Sequence, residues 1–186
     1  MIAFNFKFLM KKNLQKMHRD AFTFWEKTSV RHRLGFALLV MTLTFGSVAF
    51  SSHYRLAVNV TESLPGHLYL IKRDAASSYA QGTLIAFRWM GDRPIPQGTT
   101  VVKEIAGVAG DTISHREHEV FINGQTISRL KSHSKAGTPL VPGPTGVISE
   151  NHYYVHAPHP DSLDSRYAKC GLIHASQIIG EAIELF

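Results

Sequence analysis

A serine and a lysine that lie far apart in the chain carry the chemistry that this sequence suggests first. Ser63 precedes a Leu-Pro-Gly turn, and Lys103 lies in the β-type run Thr100–Ala106. If that run is a strand, Lys103 shares one face with Val101 and Ile105, and burial among them lowers the pKa of its amine. A neutral amine can take the proton of a serine hydroxyl. The alternative is a turn serine and a lysine whose amine reaches water.

A third polar group follows near the C-terminus, in Ser162-Leu-Asp-Ser-Arg166. In an extended segment, Asp164 and Arg166 lie on one side and can form an ion pair that holds the loop in place. Ser162 could then hydrogen-bond the lysine nitrogen and orient it. The alternative is a polar loop with a surface ion pair, which would stabilise the protein little.

Short β-type runs separated by turn residues predict the elements that must position these groups, and the fold class is mainly β, a small barrel or folded sheet. Asn123-Gly124 predicts a hairpin turn, and residues 131–150, rich in Gly, Pro, Ser and Thr, predict a flexible loop. The predicted strands are Leu68–Lys72, Thr83–Trp89, Thr100–Ala106, Thr112–His115, Glu119–Ile122, His152–His156 and Ile178–Leu185.

An apolar stretch precedes the β region. No Lys, Arg, Asp or Glu lies between Arg33 and Arg55, and a helix of that length reaches roughly 30 Å, enough to cross a bilayer. We therefore predict a transmembrane helix over residues 34–54, with Ser63 close to the membrane surface. The alternative is a cleaved leader peptide with its cleavage site at Ser47–Ala49.

The charge is concentrated before that stretch. Residues 1–33 hold eight Lys or Arg against Asp20 and Glu26, which accounts for the whole formal charge of +6. Basic flanks stay in the cytoplasm, so we predict a cytoplasmic arm over residues 1–33, helical around Asn13–Lys27, and an extracytoplasmic domain over residues 55–186. A neutral domain without a basic patch argues against nucleic-acid binding.

Other kinds of site have weaker support in the sequence. His156/His159 and His115/His118 lack the helical His-Glu-x-x-His pattern of a zinc protease, so no metal site is predicted. Cys170, the single cysteine, could pair with His174 as nucleophile and base, but no orienting group stands out beside them. No cofactor is predicted.

The three polar groups, in this order behind an apolar span, resemble the signal peptidase I family of Ser/Lys proteases. The family pattern has a serine and a proline just behind the anchor, then a strand lysine followed by Gly-Asp, then Ser-x-Asp-Ser-Arg. Here these are Ser63–Pro65, Lys103, Gly110-Asp111 and Ser162–Arg166. The resemblance covers residues 34–186 and implies a signal peptidase or LexA-like β domain behind a membrane anchor.

Where this sequence departs from the pattern of the general signal peptidase, it resembles the TraF-type branch of the family. The peptidases of that branch are encoded with conjugative transfer systems. The segments concerned are the compact Ser63–Pro65, Val108–Asp111, the run His159–Tyr167, and the closing segment Ser176–Ala182. That branch matures pilin precursors for type IV secretion, and in some members a peptide amine resolves the acyl-enzyme and cyclises the pilin. The resemblance thus implies a bacterial inner-membrane enzyme whose partners are leader-bearing precursors and the lipid bilayer.

The resemblance also implies a role for each matching residue. Ser63 is the nucleophile and Lys103 the general base; Thr61 and the Ser63 N–H stabilise the oxyanion. Ser162 orients the lysine, and Asp164 and Arg166 support the site. We place Leu64, Leu68 and Val102 around small side chains of the substrate.

Two other functions are compatible with the same sequence features. One is a general housekeeping signal peptidase. The other is a non-catalytic, membrane-tethered scaffold of the secretion apparatus, in which the serine and the lysine would be incidental.

Overall fold

A computed structural model of the protein describes residues 13–20, 23, 29–59, 63–73, 78–92 and 94–186. Within this range the chain divides into two compact units, Met1–Phe50 and Ser51–Phe186. Of the predicted arm helix, residues 13–20 and 23 are helical; the rest of Asn13–Lys27 lies outside the described residues.

The first unit consists mainly of the apolar helix α1, Val30–His53. Its most apolar 18-residue window has a mean hydropathy of 1.9, and none of it is buried by the protein. The hydroxyls of Thr42, Thr44 and Ser47 donate to backbone carbonyls three or four residues back, so these polar groups are satisfied without water. By length and composition α1 can cross a bilayer.

The described residues of the second unit form eleven strands in two antiparallel sheets, as the predicted mainly β fold class requires. The larger sheet has the order β1-β2-β11-β3-β4-β9-β10, and the smaller one has the order β7-β6-β5-β8. The strands are β1 Tyr54–Val58, β2 Leu68–Lys72, β3 Leu84–Arg88, β4 Thr100–Gly107, β5 Thr112–Arg116, β6 Glu119–Ile122, β7 Gln125–Arg129, β8 Gly146–Val147, β9 His152–His156, β10 Ile173–His174 and β11 Ile178–Glu184.

Alternation along the strands explains most of these elements, and three strands are additions to the prediction. The seven predicted strands are all present with small shifts at their ends, and the Asn123-Gly124 turn joins β6 to β7, the second strand of the predicted hairpin. The additions are β1, β8 and β10. β1 begins directly after α1. The strand pattern of β1 is therefore difficult to separate from the apolar run in the sequence.

The two faces of the larger sheet bury different clusters of side chains. One face packs Ile85, Phe87, Ile105 and Val155, while the other packs Leu64, Tyr69 and Ala182, with Val102 against them. Cross-strand neighbours share a face, and Ile85 lies opposite Lys103 in the β3–β4 register. Lys103 is therefore positioned on the same face as Val101 and Ile105, as the alternation predicts.

Candidate functional site

Lys103 is held in the middle of the larger sheet. Its side chain is only 3% exposed, because β3 flanks its strand and the segment that contains Ser162 covers it. Burial lowers the pKa of its amine to about 8, and the nearby carboxylate of Asp164 opposes that shift without cancelling it. Near pH 8, about half of the amine is neutral and able to accept a proton.

Ser162 is the hydrogen-bond partner of that amine. Lys103 Nζ lies 2.5 Å from Ser162 Oγ, and both side chains are buried. The backbone N–H of Ser162 donates to His159 O at 3.0 Å, which closes a turn and fixes where the hydroxyl lies. The bond therefore restricts the rotation of the flexible lysine side chain.

A buried ion pair anchors the segment that carries Ser162. Arg166 Nε and Nη2 donate to the two carboxylate oxygens of Asp164 at 2.7 and 2.8 Å, and both side chains are at most 2% exposed. Ala157 completes the network: its N–H donates to Asp164 at 3.0 Å, and its carbonyl accepts from Arg166 at 2.7 Å.

Ser165, between them, ties the same segment to β9. Its hydroxyl accepts from Val155 N at 2.9 Å, and its N–H donates to Val155 O at 3.0 Å. β9 pairs with β4, so the segment is fixed to the neighbour of the strand that holds Lys103. The polar groups of Asp164 and Arg166 are hydrogen-bonded to each other and to the backbone of Ala157, so the pair supports the structure of this segment.

Ser63 and Lys103 line one cavity of about 500 Å³. Ser63 is half-buried, and Leu64 beside it is buried against Tyr69, with Val102 packed on the same cluster. The wall is mostly apolar and includes Leu64, Val102 and Leu163. A cavity of this kind suits a peptide with small or apolar side chains.

The predicted wall residues differ in whether they line the cavity. Among the described residues that line the cavity, Leu64 and Val102 are present and Leu68 is not. Tyr69 lines the cavity and faces the buried cluster, whereas Leu68, its neighbour in β2, lies on the opposite face of the strand. Thr61 lies outside the described residues.

The rim of the cavity carries charges that the sequence analysis did not single out. Lys131 Nζ and Lys135 Nζ lie 2.5 and 3.2 Å from the two carboxylate oxygens of Asp161. The hydrogen bond from Lys131 is the main reason that the pKa of Asp161 is lowered. This contact joins the segment after β7 to the turn before Ser162. No sequence motif marks it, since the partners are far apart in the chain.

The cysteine and the histidines that the sequence raised as alternative reactive or metal-binding groups have surroundings unlike those of Lys103. Burial raises the pKa of the Cys170 thiol to about 12, so the thiol is protonated and a poor nucleophile at neutral pH. The Nδ1 atom of His174 contacts Ser176. Within the described part of the chain, no three His, Cys, Asp or Glu side chains form a group that could hold a metal ion.

Comparisons with known proteins find a matching family and several similar solved structures. The family model described as signal peptidase, peptidase S26, matches residues 28–186. A crystal structure of a signal peptidase I from Enterococcus faecalis V583 is similar at 21% identity and a TM-score of 0.38, over 56% of this chain and 97% of that one. No curated protein matches the chain in sequence.

Proposed function

We propose, because this chain belongs to the signal peptidase family (peptidase S26), that it is a membrane-bound endopeptidase with Ser63 as nucleophile and Lys103 as general base. The family consists of serine-type endopeptidases that act on precursor proteins with leader peptides. The observation that carries the assignment is a buried amine with a pKa of about 8 in the cavity that Ser63 also lines. An ordinary surface lysine would be protonated at neutral pH.

The proposed reaction begins with proton transfer from Ser63 Oγ to the neutral amine of Lys103. Oγ then attacks the scissile carbonyl, and the Ser63 N–H with the Thr61 hydroxyl stabilises the oxyanion; one such donor lowers the barrier by roughly 3 kcal/mol. The protonated amine returns its proton to the leaving amine as the acyl-enzyme forms. A water molecule, or a peptide amine, then resolves the acyl-enzyme.

Three residues position this machinery without entering the bond changes. Ser162 holds Lys103 Nζ at 2.5 Å, and the Asp164–Arg166 pair holds the segment of Ser162. Leu64 and Val102 provide apolar wall for the small side chains of the substrate. Leu68 is not among the residues that line this cavity.

Single substitutions at the two central residues test the assignment. Ser63→Ala and Lys103→Ala should each abolish processing of a leader-bearing precursor in detergent, measured by a gel shift, while thermal melts show that the variants fold. Lys72→Ala, an exposed lysine at the end of β2, is the matched control and should process normally. Full processing by either dyad variant would exclude this mechanism.

The same experiment separates an enzyme from a non-catalytic scaffold of the secretion apparatus. A scaffold would keep its function in vivo with Ser63→Ala, because the fold is retained and only one oxygen is lost. An enzyme would lose its function although the variant protein accumulates to normal levels in the membrane.

We further propose that the precursor is a pilin processed for conjugative transfer. Support comes from the TraF-like features, namely the compact Ser63–Pro65 and the run His159–Tyr167. Deletion of the gene should abolish conjugation and leave the cells viable, whereas loss of viability would indicate a housekeeping signal peptidase. The mass of the mature pilin distinguishes hydrolysis from cyclisation, because a cyclised product is lighter by one water.

We also propose that the enzyme faces the periplasm and contacts lipid. The N-terminal arm carries the whole charge excess, which supports a cytoplasmic N-terminus because basic flanks stay in the cytoplasm. On the second unit, Leu56, Leu70 and Ile183 lie side by side across β1, β2 and β11 on the face opposite the buried Tyr69 and Ile71. Digestion of the domain by trypsin in intact spheroplasts would support this orientation, and complete protection would contradict it.

A further inference from the structure

Asn59 connects the end of β1 to the loop that carries Ser63. Its backbone N–H donates to His67 O at 2.8 Å, and its side-chain Nδ2 donates to Leu64 O at 3.1 Å and to Gly66 O at 2.9 Å. The amide nitrogen has two hydrogens, one for each carbonyl. Because carbonyl oxygens only accept, these partners also determine which way the amide points.

The composition of the loop explains why such a donor is needed. Pro65 has no N–H, so the Leu-Pro-Gly segment presents more acceptors than donors. Leu64 and Gly66 are buried, and buried carbonyls need partners. Asn59 supplies two of them from outside the loop.

β2 holds the same loop from the other side. The N–H of Gly66 donates to the hydroxyl of the buried Tyr69 at 3.1 Å. A Cβ at Gly66 would come within 2.6 Å of the Glu184 side chain and 2.7 Å of the Tyr69 hydroxyl. The loop therefore fits closely between Asn59, Tyr69 and Glu184.

We propose that Asn59 is a positioning residue for the nucleophile: by holding the carbonyls of Leu64 and Gly66, it keeps Ser63 aligned with Lys103. The inference rests on the proposed role of Ser63. Ser63 is bonded directly to Leu64, so a shift of that carbonyl moves the serine. A displacement of about 1 Å at a reacting group can cost on the order of a hundredfold in rate.

Two substitutions in the full-length protein test this role. Asn59→Ala removes the donors, and Asn59→Asp keeps the size while it presents only acceptors to two carbonyls. We expect kcat per folded enzyme to fall about 10- to 100-fold in Asn59→Ala and at least as far in Asn59→Asp. KM should change less than kcat in both variants. In Asn59→Ala the pH midpoint of the rate should stay where it is, because Asn59 is not among the groups that shift the pKa of Lys103.

A matched control separates positioning from general stability. Asn123 also makes two side-chain hydrogen bonds, to Asp111 and Thr112 in the smaller sheet. Asn123→Ala should lower the melting temperature but leave kcat per folded enzyme at the wild-type value. Tyr69→Phe, which removes only the acceptor for Gly66 N–H, should lower kcat by less than Asn59→Ala.

The outcomes distinguish this inference from the proposed function. Wild-type kcat per folded enzyme in Asn59→Ala, with Ser63→Ala inactive, would overturn the positioning role alone. Processing by Ser63→Ala would overturn the dyad itself. If Asn59→Ala does not fold, Asn59→Ser, which can still donate one hydrogen bond, decides the matter: wild-type kcat in the folded protein would contradict the role.

Discussion

A buried lysine is costly for a protein to keep, and the surroundings of Lys103 show how this one is accommodated. Burial favours the neutral amine, while the Asp164 carboxylate favours the charged one and Arg166 partly offsets that carboxylate. Since the Asp164 carboxylate accepts two hydrogen bonds from the Arg166 guanidinium, desolvation determines the direction in which the pKa of Lys103 shifts. The amine therefore titrates close to physiological pH.

The rate of processing should depend on pH accordingly. A general base must be neutral, and Lys103 is neutral above its pKa of about 8. We expect kcat/KM to rise about tenfold per pH unit below pH 7 and to level off above pH 9, in initial rates on a leader-bearing peptide. A profile that is flat between pH 6 and 9 would contradict Lys103 as the base.

At the scale of elements, the site depends on β4, on β9 and on the segment 162–166. β4 supplies Lys103, and β9 supplies the backbone groups of Val155 to which Ser165 binds. The Asp164–Arg166 pair locks the segment onto the residue that follows β9, Ala157. Two strands that are neighbours in the sheet thus hold the lysine and its hydrogen-bond partner together.

Loss of one member of this buried pair should be severe. Asp164→Ala leaves an unpaired guanidinium in the interior, and we expect a loss of about 3–5 kcal/mol in the free energy of unfolding, measured by denaturant titration in detergent. Asp161→Ala is the control, since its ion pairs with Lys131 and Lys135 lie at the surface; its unfolding midpoint should stay close to wild type. Equal effects of the two substitutions would show that the buried pair has no special role.

At the scale of the whole molecule, the described residues include two apolar surfaces that no other part of the described chain covers. One is α1, with none of its residues buried. The other is the outer face of β1, β2 and β11, where Leu56 is 61% exposed and Ile183 is 45% exposed. Monomeric soluble proteins rarely expose contiguous apolar surface of this kind, which agrees with a protein that works at a bilayer.

Charges placed on that sheet face should weaken lipid contact and spare the chemistry. We expect Leu56→Glu with Ile183→Glu to slow processing of a precursor embedded in liposomes at least several-fold, because a carboxylate must be desolvated to enter the lipid interface. Cleavage of a soluble leader peptide in detergent should be unchanged. Thr126→Glu, at an exposed position on β7, is the control. Equal rates in liposomes would exclude lipid contact through this face.

Local patterns in the chain were sufficient to predict the apolar helix, seven strands and the hairpin turn. Alternation of apolar and polar residues with a period of about two indicates a strand, and the length of an uncharged apolar run indicates a membrane-spanning helix. Both signals are present in the sequence alone. The same alternation predicts that Lys103 shares a face with Val101 and Ile105. β1 was missed because it continues directly from the apolar run of α1.

Pairing and depth of burial depend instead on contacts between residues that are distant in the chain. The last strand, β11, inserts between β2 and β3, and nothing in its own residues specifies those neighbours. Leu68 is absent from the residues that line the cavity, and the pattern of β2 alone does not say which of its side chains reach that cavity. Asn59 binds carbonyls five and seven residues further on, and no motif marks that contact. Asp161 lies in the run His159–Tyr167, but its partners Lys131 and Lys135 come from a separate segment of the chain. Desolvation of Lys103 has the same origin: a pKa near 8 requires side chains from several segments to exclude water at one point, which no single stretch of sequence can specify.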